Sequence, residues 1–188
     1  MKKNVFVLAV IVVLISLLTL STALAAGKNG PAWKSKVGHL YLYEKDSTKA
    51  DPDTGAWPIV EGGAWGKMNY KLLGNTLDFV FNGHELPIGQ KYKLIAYKEP
   101  WPGEGLIFLG SGTSNEYGDV HIMGTSGALP VSNYPTETSD EYKDCGTKIW
   151  LVLAEDVGGG VMGGAWRPDA YLFEGDLIYF ACPQQPPQ

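Results

Sequence analysis

Short segments that alternate in polarity at every second residue recur along this chain, and no window sustains the 3.6-residue apolar period of a helix. In His39–Tyr43, Leu40 and Leu42 fall on one side. In Gly66–Leu72, Met68, Tyr70 and Leu72 point one way while Lys67, Asn69 and Lys71 point to water. Leu77–Phe81 alternates after a Gly74-Asn75 turn signal, and Tyr92–Tyr97 follows a Pro87-Ile88-Gly89 turn. Leu106–Leu109, Val120–Met123, Lys148–Ala154, Ala170–Phe173 and Leu177–Phe180 complete a set of about nine strands. Lys148–Ala154 is apolar on both faces, which predicts a central strand covered on both sides. Closely spaced strands with Gly and Pro between them describe an all-β fold, a sandwich or a barrel. Asp46–Trp57 and Leu129–Thr147 read as long polar loops on that one domain.

The N-terminus has the layout of an export signal. Lys2 and Lys3 precede the apolar run Val5–Leu20, and Ala23-Leu24-Ala25 supplies the small residues of a cleavage site. The expected division is a signal peptide over 1–25, a β-sandwich domain over 26–182, and a disordered Pro/Gln tail over 183–188. An uncleaved anchor is the rival reading, because the run approaches the roughly 20 residues that span a bilayer. Cleavage would leave 163 of 188 residues, enough for one domain with its own core. Loss of Lys2 and Lys3 moves the net charge from −5 to about −7. An acidic chain without a basic stripe is a poor partner for nucleic acid or an anionic membrane. Cys145 and Cys182 are the two cysteines, and in an exported protein they read as a disulfide. The loop it closes would stabilise the fold by about 4 kcal/mol in the chain-entropy model; two buried thiols are the alternative.

Motifs that suggest catalysis dissolve on inspection. Gly110–Gly124 places Ser111 between Gly110 and Gly112, which is not a nucleophile elbow, and no Gly-Lys-Ser/Thr follows to cradle phosphate. The expectation there is a β-hairpin turning at Asn115–Asp119. Gly158–Gly163 fits Gly-x-Gly-x-x-Gly, but no helical period follows to face a pyrophosphate, so a flexible loop is expected. His39, His84 and His121 lack metal-ligand spacing. His39 and His121 read as surface strand residues, and His84 as part of a turn. No spacing argues for the paired carboxylates of a glycosidase. The expectation is a chain that is not an enzyme.

Two binding chemistries stay open. Asp51 and Asp53 begin like a calcium loop, but Gly62 stands where the bidentate Glu belongs, with Glu61 one residue short. No cofactor is expected beyond this weak possibility of structural Ca²⁺. Six tryptophans are many for this length, and Trp33, Trp57, Trp65, Trp101 and Trp166 sit beside Gly, Pro or loop residues. Rings fixed in loops stack on sugar faces; equally, they cap the open ends of a sandwich.

Glu61–Met68, Phe79–His84, Leu94–Tyr97, Trp101–Gly103, Leu109–Thr113, Val120–Ile122 and Lys148–Leu153 together resemble a group of small exported prokaryotic, chiefly archaeal, proteins. The likeness runs roughly from Leu40 to Phe180. It implies a secreted, single antiparallel Ig-like β-sandwich and carries no site residues. The leading expectation is therefore a non-enzymatic extracellular or cell-surface structural protein that self-associates, its partners being itself or other surface proteins. The alternative is a secreted carbohydrate-binding module using Trp101, Trp57 and Trp166.

Overall fold

The computed structural model describes residues 37–74, 76–97, 106–129, 132–134, 144–175 and 178–180. Twelve strands fill them: β1 (Gly38–Tyr43), β2 (Trp65–Leu73), β3 (Thr76–His84), β4 (Lys91–Tyr97), β5 (Ile107–Thr113), β6 (Val120–Thr125), β7 (Ser132–Tyr134), β8 (Asp144–Leu153), β9 (Val157–Gly158), β10 (Val161–Met162), β11 (Leu172–Glu174) and β12 (Ile178–Phe180). Two 3₁₀ turns, Ala154–Asp156 and Pro168–Ala170, are the helical elements among the described residues. The protein is all-β, and each of the nine segments with strand-like polarity contributes a strand. The proposed signal segment 1–25, the tail 183–188, Trp101 and Cys182 lie outside the described residues, as does the side chain of Cys145.

Eight strands form one antiparallel sheet in the order β5-β4-β8-β11-β1-β2-β3-β6, with β7 and β12 pairing the first half of β8. One face of this sheet is packed into a core. Leu40, Leu42, Met68, Phe81, Leu94, Ile149 and Leu151 are wholly buried. Each such side chain contributes roughly 1.5–3 kcal/mol on leaving water. The strict alternation of β1, β2 and β3 fixes their register, because a one-residue slip would turn the whole apolar set outward.

The sheet curls until its two end strands, β5 and β6, lie side by side, giving a nearly closed, barrel-like shape. Glycine makes that approach possible. A Cβ on Gly112 would stand 2.6 Å from Val120 Cγ2 and 3.1 Å from the His121 carbonyl oxygen, and one on Gly110 2.6 Å from Ile122 Cγ2. The connecting turn is where the sequence places it. Asn115 Oδ1 accepts the N–H groups of Tyr117 and Asp119, and Gly118 takes the φ of +77° that a side chain would strain. The expected hairpin ladder is absent from the described residues, however: β5 pairs with β4 and β6 with β3. The strands meet through side chains across a seam instead.

β8 is central, as its two-faced apolarity requires. It pairs with β4 on one side and β11 on the other, and Ile149–Leu153 are all buried. Its outward side chains are covered by the chain that follows. In that stretch Gly158–Gly163 forms a tight hairpin rather than the flexible loop expected: Gly159 and Gly160 have φ of +61° and +78°, the pair of positive values a two-residue type I′ connection demands.

Candidate binding face

On the outside of the sheet, strand registry assembles one continuous row of large side chains. Phe108 of β5 opposes Ile95 of β4; Ile95 opposes Trp150 of β8; Trp150 opposes Phe173 of β11. Phe173 then opposes Tyr43 of β1, Tyr43 opposes Trp65 of β2, and Trp65 opposes His84 of β3. The middle of the row is core, with Ile95, Trp150 and Phe173 buried, and Trp150 and Phe173 meet edge to face at 4.8 Å. The far end is open. Trp65 is 37% exposed and lies over the His84 ring at 4.6 Å, and Tyr43 beside it is half-buried.

Directly below, a second row reads Tyr41, Lys67, Asn82, His121 across β1, β2, β3 and β6. The rings of Tyr41 and Tyr43 are nearly parallel, 13° apart with centroids 6.3 Å apart, and Lys67 Nζ stands 5.4 Å from the Tyr41 centroid. All three histidines belong to this outer face, and each is oriented by a side chain on another strand or the adjoining turn. The Nδ1–H groups of His39, His84 and His121 donate to Asn69 Oδ1 (2.6 Å), Asp119 Oδ1 (2.8 Å) and Asn82 Oδ1 (2.7 Å). His39 and His121 are exposed strand residues, as their alternation requires. His84 closes β3 rather than sitting in the turn, which begins with Glu85 at φ 60°. A further groove of about 490 Å³ opens on the same face, lined among others by Val37, Val80 and Met123.

Trp57 and Trp166, chosen from sequence as loop aromatics, come together. Their centroids are 6.2 Å apart, and both pack on Phe173, at 5.3 Å and 6.3 Å. They form a lid over the buried middle of the row, with Trp166 46% exposed. A latch holds that lid. Asp156, 1% exposed, accepts from Arg167 Nε (3.0 Å) and Nη2 and from Tyr171 Oη (2.6 Å), while its carbonyl accepts from Gly163 and Gly164. Burial pushes the Asp156 carboxyl up, but the bonds from Arg167 and Tyr171 outweigh it and hold the group below the usual carboxylate range. Tyr171 is pushed upward by its burial and by the same carboxylate. Nearby, burial lifts the Glu174 carboxyl to about 7 despite Lys148, whose Nζ lies 4.0 Å from Oε1, and Lys45, whose Nζ donates to the Glu174 carbonyl.

The other candidates separate. Asp51 Oδ1 accepts the N–H groups of Asp53 (2.9 Å) and Thr54 (2.8 Å), so its carboxylate closes its own loop turn. No group of three or more metal-ligating side chains occurs among the described residues. Phe180 of β12 opposes Cys145 of β8 in register, two residues short of Cys182; the pairing of the two sulfurs lies outside the described residues. No helix among the described residues is long and apolar enough to cross a membrane. Trp65 is among the tryptophans that the sequence places beside loop residues, but Tyr41 and Tyr43 are not indicated by sequence as binding residues. The signal was present in β1, where the residues alternating with Leu40 and Leu42 are aromatic rather than simply polar. Comparison with protein-family models, curated proteins and solved structures finds no match.

Proposed function

We propose that this chain is an exported, non-catalytic all-β protein that binds polysaccharide on the outside of its sheet, through Tyr41, Tyr43 and Trp65. The observation that carries the reading is the open end of the cross-strand row: fixed aromatic rings beside Lys67, Asn82, His84 and His121. Isolated apolar residues on a surface need no explanation, but contiguous rings rimmed by hydrogen-bonding groups suit a ligand with flat apolar faces and hydroxyl edges. Sheet registry holds these side chains before any ligand arrives, so little ordering entropy is lost on binding. The site differs from the loop tryptophans first expected, because Trp57 and Trp166 are largely engaged in covering Phe173 and Trp150.

Affinity electrophoresis through gels containing different polysaccharides tests this reading. At least one glycan is expected to retard the wild-type protein, and Trp65→Ala is expected to abolish most of the retardation, since truncating a central aromatic anchor of a binding face costs about 2 kcal/mol or more. Unaltered mobility on every glycan would sink the proposal.

A second reading, a self-associating surface building block, is favoured by the groove containing Val80 and by Met123, which is 66% exposed. Strand addition is a weaker route to assembly, because β5 and β6 lie against one another instead of facing solvent as distant edges. Concentration-dependent light scattering, abolished by Met123→Lys, would support assembly through this groove. The same proposal includes a cleaved 1–25 signal and a Cys145–Cys182 bridge, and intact mass under non-reducing conditions checks both.

A further inference from the structure

We propose that the ligand of this face is a neutral polysaccharide, its pyranose rings lying on Tyr43 and Trp65 and its hydroxyl pairs read by Asn82, His121 and His84. The inference rests on the polysaccharide reading above and names the class of glycan. Its basis is the hydrogen-bonding state that strand registry imposes on two histidines. His121 donates from Nδ1 to Asn82 Oδ1 at 2.7 Å, directly across β6 and β3. A neutral imidazole that donates at Nδ1 has only a lone pair at Nε2. The two side chains thus spend one donor and one acceptor on each other. What they leave for a ligand is the Asn82 amide N–H groups and, beside them, His121 Nε2. His84 is set in the same way. Its Nδ1–H donates to Asp119, whose carboxylate only accepts, so its Nε2 is again an acceptor. That ring lies under Trp65 at 4.6 Å, and the His84 side chain is 37% exposed.

These lone pairs suit hydroxyls. A sugar hydroxyl donates and accepts at once, so two adjacent hydroxyls satisfy His121 Nε2 and the Asn82 amide together. A carboxylate or sulfate substituent offers lone pairs alone, and would meet those of His84, His121 and Asp119. Charge gives it no compensation. With the histidines counted as neutral, Lys67 and Lys71 are matched by Asp78 and Asp119. Lys71 opposes Asp78 in register, and Lys67 lies over the Tyr41 ring. The rows also fit a chain lying across the strands. Tyr43, Trp65 and His84 form one row, and Tyr41, Lys67, Asn82 and His121 form the next. A glycan stacked on the first carries a hydroxyl edge over the second.

Affinity electrophoresis of the full mature protein tests the inference, with a neutral set of hydroxyethylcellulose, xylan and galactomannan and an acidic set of polygalacturonate and alginate. At least one neutral glycan is expected to retard the protein, and neither acidic one. On that neutral glycan, His121→Phe keeps a ring and removes both nitrogens, and Asn82→Ala removes the amide. Each is expected to raise the Kd about tenfold, the effect of one hydrogen bond left unpaired, with circular dichroism confirming the fold. Retardation by an acidic glycan as strong as by any neutral one would overturn the neutral class while leaving the polysaccharide reading intact. Retardation by a neutral glycan that both His121→Phe and Asn82→Ala leave unchanged would overturn the assignment of the hydroxyl readers, again leaving that reading intact. Retardation by no glycan of either set would overturn both.

Discussion

Arg167 and Asp156 show how much one residue pair governs here. Asp156 is buried and draws on Arg167, Tyr171 and two backbone N–H groups to keep the covering segment against β8 and β11. Arg167→Met should lower unfolding stability by about 2 kcal/mol in urea titration. That is less than the 3–5 kcal/mol of a fully buried pair, because the Arg167 side chain is 38% exposed. An unchanged midpoint would show that Tyr171 alone satisfies the carboxylate. Glu174 supplies a pH signature of opposite sense. Its folded value of about 7 lies above the ordinary 4.5, so the folded state holds a proton that the unfolded state releases first. Stability from this group is fully present below about pH 4.5 and is lost as pH rises through 7, in total on the order of 3 kcal/mol. Thermal unfolding at pH 5 and pH 8 should show the higher midpoint at pH 5, and Glu174→Gln should flatten the difference. A wild-type profile that rises toward pH 8 contradicts this assignment.

At the scale of elements, most of the fold was legible because alternation is a direct record of which face meets the core. His39–Tyr43, Gly66–Leu72 and Leu77–Phe81 each appear as strands with the inward residues their polarity indicates. Partner choice was less legible. Alternation says which side of a strand is buried but not what lies beside it, so consecutive β5 and β6 read as a hairpin although their ladders run to β4 and β3. It is likewise the same for a sandwich and for a sheet rolled toward a barrel. Gly110 and Gly112 carried the missing information as absent side chains, which become meaningful only when Val120 and Ile122 are known to face them. Gly112→Val should therefore force the seam apart and cost about 1–3 kcal/mol in urea unfolding, because the obstruction includes the His121 backbone. A cost near zero would mean that the seam is loose. The binding face was only partly legible for a related reason. Tyr41, Tyr43 and Trp65 are distant in sequence from His84 and His121, and pairing of four strands is what places them together.

The whole molecule is a sheet curled around one core, with a second apolar layer on the outside of β4, β8 and β11, and an open, ring-bearing face on β1, β2, β3 and β6. Trp57 and Trp166 pack on Phe173 over the buried middle of the row, whereas the proposed binding residues Tyr41, Tyr43 and Trp65 stand at its open end. With its end strands against each other, the mature protein is expected to scatter light as a compact monomer, and a mass that climbs with concentration would instead favour assembly. The most direct test of the central claim is a two-dimensional amide and indole NMR titration with a glycan that retards the protein in gels. The account predicts shifts concentrated on the Trp65 indole and on β1, β2 and β3 around Tyr41, Tyr43, Lys67 and His84, with the Trp150 indole still. Shifts centred on Trp57, Trp166 and the 154–170 segment, with Trp65 unmoved, would contradict it.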